Sequence, residues 1–276
     1  MNSVALSFKL GVCVVALIGG TSLSGQENAT GFTELAGRAD VVFLGEQHDN
    51  PHHHHIQAQW VERLSATALV FEMLTPEQAA LVTDENRYNA VTLESVLDWN
   101  HSGWPDFEMY FPIFAAAPTA RIYGAGVPRD RLRSLMQEDL PAVAGLHVAQ
   151  KFALDVPLDP AEQKAREALQ HAAHCDALPQ EMLPMMVDVQ RLRDTALAAA
   201  ALEALENHGP PVAVITGNGH ARTDWGAPFL LQRAAPEVSV FSLGLSEDSQ
   251  TPAGEFTAIT NTAAVPRGDP CAAFQQ

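Results

Sequence analysis

Two short loops carry the residues best suited to chemistry. They are Gly45-Glu46-Gln47-His48 and Gly217-Asn218-Gly219-His220, each with an imidazole three residues after a glycine. Glycine lets the backbone turn sharply and come close to a ligand. Two imidazoles with the carboxylates of Glu46 and Glu72 suit acid–base work, with Glu46 or His48 as general base on water and His220 polarising a carbonyl. The same groups suit a divalent metal held by His48 and His220. A histidine in a turn is also an ordinary hydrogen-bonding residue, so the pair of loops carries more weight than either alone.

The elements around these loops explain how they would meet. Short apolar runs at Val41 to Leu44, Ala68 to Phe71, Ala120 to Tyr123, Val212 to Thr216 and Val238 to Leu243 read as buried strands. Glu46, Glu72, Arg129, His220 and Arg222 each fall just after one of the first four, and open parallel sheets bind ligands beyond the carboxyl ends of their strands. Helical patterns intervene at His52 to Ser65, at Pro76 to Asn86 behind a Thr75 cap, and at Phe107 to Ala117 with an interruption near Pro112. Asn50 or Asp49 would cap the first. Alternating strand and helix predicts an α/β fold with a largely parallel sheet covered on both faces. Residues 139–207 lack a strand pattern and read as a helical insertion broken near Pro157 to Pro160 and Pro179 to Pro184. The tail after Ser246 reads as loose, with one edge strand near Phe256 to Ile259.

Composition narrows the classes. The chain has 276 residues, 47% of them apolar, and a formal net charge of −17. Such a charge repels nucleic acid and anionic lipid, though a local arginine pair would still hold a small anion. Residues 1–24 read as a signal peptide, with Lys9, an apolar Leu10 to Ile18 and small residues to follow, leaving 25–276 as one domain. This implies export, with the periplasm the expected compartment. Val12 before Cys13 is not the small residue of a lipoprotein signal, so lipid anchoring is unsupported. Cys175 and Cys271 allow one pairing, which sequence leaves open. His171, His174 and Cys175 have metal-like spacing without a second cluster. In the run His52 to His55, neighbours point about 100° apart on a helix, so the four cannot serve one metal. Serine-esterase elbows, phosphate loops and haem-attachment motifs are absent from the sequence.

Taken in order, Leu44 to Pro51 with His54 and Gln57, Phe71-Glu72-Met73, Gly103-Trp104-Pro105, Val127-Pro128-Arg129, His174 to Pro179, Gln190 to Asp194 and Thr216 to Arg222 resemble the ChaN-like haem-binding uptake family of the Tiki and erythromycin-esterase-like group. The resemblance implies a three-layer α/β/α sandwich, an exported protein and non-covalent haem binding tied to iron uptake. It also implies haem held between two subunits of a homodimer by a tyrosinate, and delivery through outer-membrane uptake machinery. The ligand-binding set expected from loops and resemblance together is Glu46, His48, His54, Glu72, Arg129, Asn218, His220 and Arg222. The arginines are placed for propionates. No motif places the tyrosine among Tyr88, Tyr110 and Tyr123. Tyr110, in an aromatic stretch with Phe107, Phe111 and Phe114, is a candidate to pack on a porphyrin, against the plainer reading of a core helix. The alternative function is a metal- or His/Glu-dependent hydrolase using Glu46, His48, Glu72 and His220.

Overall fold

A computed structural model of the protein describes residues 34–269, 271 and 272. The predicted leader, including Cys13, lies outside the described residues. In chain order the elements that build the site are β1 (Val41–Leu44), α1 (Pro51–Leu64), β2 (Ala68–Phe71), α2 (Phe107–Ala116), β3 (Arg121–Gly124), α3 (Pro160–Ala173), α4 (Leu183–His208), β4 (Val212–Ile215), α5 (Asn218–Ala221), α6 (Ala227–Ala234), β5 (Val240–Glu247) and β6 (Ala258–Thr262). The six strands form one parallel sheet in the order β3-β2-β4-β1-β5-β6.

The central strands Val-Val-Phe-Leu, Ala-Leu-Val-Phe and Val-Ala-Val-Ile are buried at every position because both faces are covered. Val42, Leu44, Leu69, Phe71, Ala213 and Ile215 pack with Trp60 and Val61 of α1 and Tyr110 and Phe114 of α2. Val41, Phe43, Ala68, Val70, Val212 and Val214 pack on the other face with α4 and α6. This is the three-layer α/β/α sandwich expected from the sequence. Each fully buried apolar side chain contributes about 1.5–3 kcal/mol against solvent exposure.

Several boundaries depart from expectation for local reasons. The helix expected over Pro76 to Asn86 stops at Ala79. Thr83 and Asn86 then exchange side-chain-to-backbone hydrogen bonds at 2.8 and 3.3 Å, an alternative to the helical ladder. Pro112 does not interrupt α2. It is exposed, as is Glu108, whose freed carbonyl lies on the solvent side. Strand β5 runs on to Glu247 because its second half pairs with β6, which starts at Ala258. Breaks in the helical stretch fall at both proline clusters, and α4 lies directly on the sheet as the crossover from β3 to β4.

The tail is tied down. Arg267 pairs with Asp49 at 2.5 and 2.6 Å and with Glu247 at 2.6 Å. Cys271 forms a disulfide with Cys175, just past α3. The pairing left open by sequence is therefore made, and Cys175 is no metal ligand. His171 pairs instead with Asp176 at 3.0 Å.

Candidate functional site

Gly45 ends β1 where no side chain fits, since a Cβ there would come within 2.4 Å of Asn218 Oδ1 and 2.9 Å of the Leu243 carbonyl. The chain then delivers Glu46 into the protein, 2% exposed. Its Oε1 accepts from Tyr110 O–H at 2.8 Å and from His48 Nδ1 at 2.7 Å. Its Oε2 lies 3.4 Å from His54 Nδ1. Gln57 donates its amide to the Leu44 carbonyl, so its oxygen faces His54 Nδ1 at 3.2 Å. His54 Nε2 meets the His48 carbonyl at 2.8 Å. Acceptors thus face both nitrogens of His54, and the ring is an imidazolium. Burial works against that charge, but Glu46 outweighs it and raises the pKa. Burial likewise opposes the carboxylate of Glu46, yet His48 and His54 bring it down to about 2. His48 is pushed up to about 9, burial opposing and Glu46 and Glu72 prevailing.

Asn50 caps α1 by accepting from the His52 N–H at 2.9 Å. His53, one residue before His54, has the opposite state. Its Nδ1 accepts from the Gln47 N–H at 2.8 Å and its Nε2 meets the Thr262 hydroxyl at 2.9 Å. Burial holds its pKa low. His52 and His55 are exposed.

The second loop mirrors the first. Glu72, just past β2, accepts from the Thr216 hydroxyl at 2.7 Å and from the Gly217 N–H at 2.8 Å. A Cβ on Gly217 would lie 3.0 Å from His48 Nε2 and 3.8 Å from Glu72 Oε2, so glycine keeps these two groups adjacent. His220 Nδ1 donates to Asp194 of α4 at 2.6 Å, and its Nε2 lies 3.6 Å from Glu72 Oε1. Burial disfavours its charge, but Glu72 and Asp194 raise its pKa. Glu72 therefore stands between two imidazoles, each braced at Nδ1 by its own carboxylate. His48, pushed up to about 9, holds its proton at neutral pH and is a donor there rather than the base expected of it.

Two cavities open here. One of about 290 Å³ runs past Glu46, His48 and His220 under α3 and α4, with Gln170, Arg193 and Trp225 in its walls. The other, about 510 Å³, extends from Glu72 past Trp104 and Gly126 to Arg129. Arg193 borders both. Trp104 packs edge-on against His48, ring centroids 4.9 Å apart.

Glu46, His48, Glu72 and His220 thus converge as the loops suggested, and Arg129 reaches the rim. Other expected site residues do different work. Asn218 is consumed by β5, donating to the Leu245 carbonyl at 2.8 Å and accepting from its N–H at 2.9 Å. Arg222 is held by Asp224 at 2.5 and 2.6 Å and lies over the Trp225 ring at 3.8 Å, so it is no free propionate partner. His54 supports Glu46 from behind. Tyr110 is 0% exposed, and burial with Glu46 raises its pKa, so the phenol stays protonated and out of reach of a porphyrin. Among the described residues no group of three or more His, Cys, Asp or Glu could hold a metal ion. His48 and His220, the two imidazoles expected to hold a metal, each give Nδ1 to a carboxylate, Glu46 and Asp194 respectively. Sequence reading missed Asp194, Arg193, Gln170 and Trp104 as site residues. The first two lie on α4 and Gln170 on α3, and no local signal says which helix face meets the crevice.

The family described as haem-binding uptake, Tiki superfamily, ChaN matches residues 32–231. No curated protein matches the chain. Among solved structures, ChaN of Campylobacter jejuni, described with cofacial haem binding, is 20% identical at a TM-score of 0.60, over 80% of this chain and 86% of that one. The type III effector HopBA1 is 14% identical at 0.45, over 84% and 91%. A Bacillus cereus protein is 14% identical at 0.37, over 82% and 70%. The first likeness shows a shared fold; the other two are more distant.

Proposed function

Because the chain belongs to the ChaN family of haem-binding uptake proteins, we propose that it binds haem non-covalently, with Tyr88 as the iron ligand, in an exported uptake role. The observation that carries this choice of residue is exposure. Of the three tyrosines, Tyr110 is fully buried and Tyr123 is bonded to His208 at 2.9 Å, whereas Tyr88 is 57% exposed. Its hydroxyl makes one long hydrogen bond, 3.4 Å to the Pro118 carbonyl. Leu81 and Val91, 48% and 76% exposed, offer apolar surface in the same stretch of chain. The exposed Arg121, just after Pro118, suits a propionate. The crevice fits haem poorly, being lined by the buried carboxylates of Glu46, Glu72 and Asp194. Haem would supply a ferric Lewis acid for the tyrosinate; the chain supplies the phenol and an apolar seat.

The remaining parts of the proposal are export to the periplasm, haem held face to face between two copies, and hand-over to outer-membrane uptake machinery. The Cys175–Cys271 disulfide supports an oxidising compartment. The apolar surface around Tyr88 supports a seat shared by two copies. The test is a haemin titration followed by absorbance. The expected result is a saturable Soret shift at one haem per chain or fewer, lost in Tyr88→Phe and kept in His48→Ala. No saturable shift, or wild-type affinity in Tyr88→Phe, would sink the reading.

The braced imidazoles favour a second reading, a His/Glu-dependent hydrolase. Glu72 would take a proton from the attacking water while His48 protonates the leaving group. Hydrolysis of a fluorogenic ester, abolished in Glu72→Gln, is the expected result. Turnover that survives Glu72→Gln would dismiss it.

A further inference from the structure

We propose that the 290 Å³ cavity beneath α3 and α4 is a binding site for a small carboxylic acid that also carries an N–H donor, held by Arg193 and Gln170 and separate from the haem surface. Gln170 is 7% exposed, and its side-chain oxygen is buried without a hydrogen-bond partner among the described residues. Leaving a buried acceptor unpaired is costly in a folded protein, and turning the Gln170 amide toward a donor in the cavity it lines removes that cost.

Charge selects the other half of the ligand. Three arginines line the cavity. Arg166 is neutralised by Glu162 at 2.5 Å and Arg222 by Asp224. Arg193 makes no hydrogen bond or ion pair among the described residues, and its charge is felt at His220. A guanidinium with its fork free is a carboxylate receptor. One anionic group satisfies it; a polyanion meets Glu46, Glu72 and Asp194 nearby. Leu169, Val187 and Trp225 supply an apolar wall for the ligand's body. An engineered cavity of about 150 Å³ holds one benzene. This one therefore takes about a dozen heavy atoms, an aromatic ring with a short amide–carboxylate arm, and excludes a porphyrin.

The probe is hippurate (N-benzoylglycine), with hippuramide lacking the charge and benzoate lacking the N–H. Binding to the full chain is followed by calorimetry and ligand-observed NMR. The expected result is saturable one-to-one binding of hippurate, with hippuramide at least tenfold weaker. Arg193→Gln should weaken hippurate at least tenfold and erase its advantage over hippuramide. Gln170→Leu should weaken hippurate several-fold and leave benzoate unchanged. The hippurate–hippuramide comparison needs no variant, so it stands even if a substitution unfolds the protein. No saturable binding of hippurate or benzoate overturns the proposal, as does equal binding of hippurate and hippuramide. Tyr88→Phe should not alter hippurate binding, nor Arg193→Gln the haemin titration, so this site and the haem reading fail independently.

Discussion

The two ends of the sheet are built for different work. At the carboxyl ends of β1, β2 and β4, Glu46, Glu72, His48 and His220 are buried or half-buried and braced by hydrogen bonds or ion pairs. Near the amino end of β3, Tyr88 stands 57% exposed between exposed Leu81 and Val91, with one long hydrogen bond. The first end spends stability to fix polar groups before any ligand arrives. The second leaves apolar side chains exposed around a lightly bonded phenol. One chain thus carries two candidate sites whose requirements do not overlap.

The sharpest way to break this separation is Glu46→Gln. It leaves the His54 imidazolium buried without its counter-charge, a loss of about 3–5 kcal/mol. A thermal melt should fall by about 10 °C in a domain of this size, with haemin affinity retained. A melting point within a degree or two of wild type would mean that the network is not as tight as its distances suggest. Next in size is Tyr88→Phe, expected to weaken haemin about 100-fold, roughly 2.7 kcal/mol, with no change in the melt. Asn218→Ala should cost about 1–3 kcal/mol, because it leaves both backbone groups of Leu245 short of a partner. It should leave haemin binding alone.

The finest test is titration of His48 by NMR. A pKa raised to about 9 means that its charged form stabilises the fold below about pH 6.5, a contribution lost as pH rises through 9. Glu46, lowered to about 2, contributes above about 4.5 and ceases to as pH falls through 2. The pair therefore supports a stability plateau between those limits. Glu46→Gln should move the His48 midpoint back toward 6.5; an unmoved midpoint would assign the shift to Glu72 instead.

How much of this was legible beforehand varied with the kind of residue. Val41–Leu44 and Ala68–Phe71 were readable to the residue because central parallel strands need unbroken apolar runs. Strand β6, Ala-Ile-Thr-Asn-Thr, alternates buried and open positions at the sheet edge, and its true span was obscured. The glycine-led loops announced Glu46, His48 and His220, since a turn that tight is written locally. Asp194 fell inside the Gln190 to Asp194 block, yet its role was hidden, because it depends on the rotation of a 26-residue helix against the sheet. Tyr110 misled for a related reason. An aromatic helix stripe looks the same whether it faces a ligand or a core, and here its hydroxyl serves Glu46.

The anchoring of the tail has a mechanical consequence. Arg267 is pinned to the His48 loop through Asp49 and to β5 through Glu247, and the disulfide beyond it ends on Cys175, next to α3. Traction applied at the carboxyl terminus therefore does not first peel away the edge strand. The load enters at Cys175 and passes into the helices that roof the crevice, so a pull on this end registers at the cavity before it registers in the sheet.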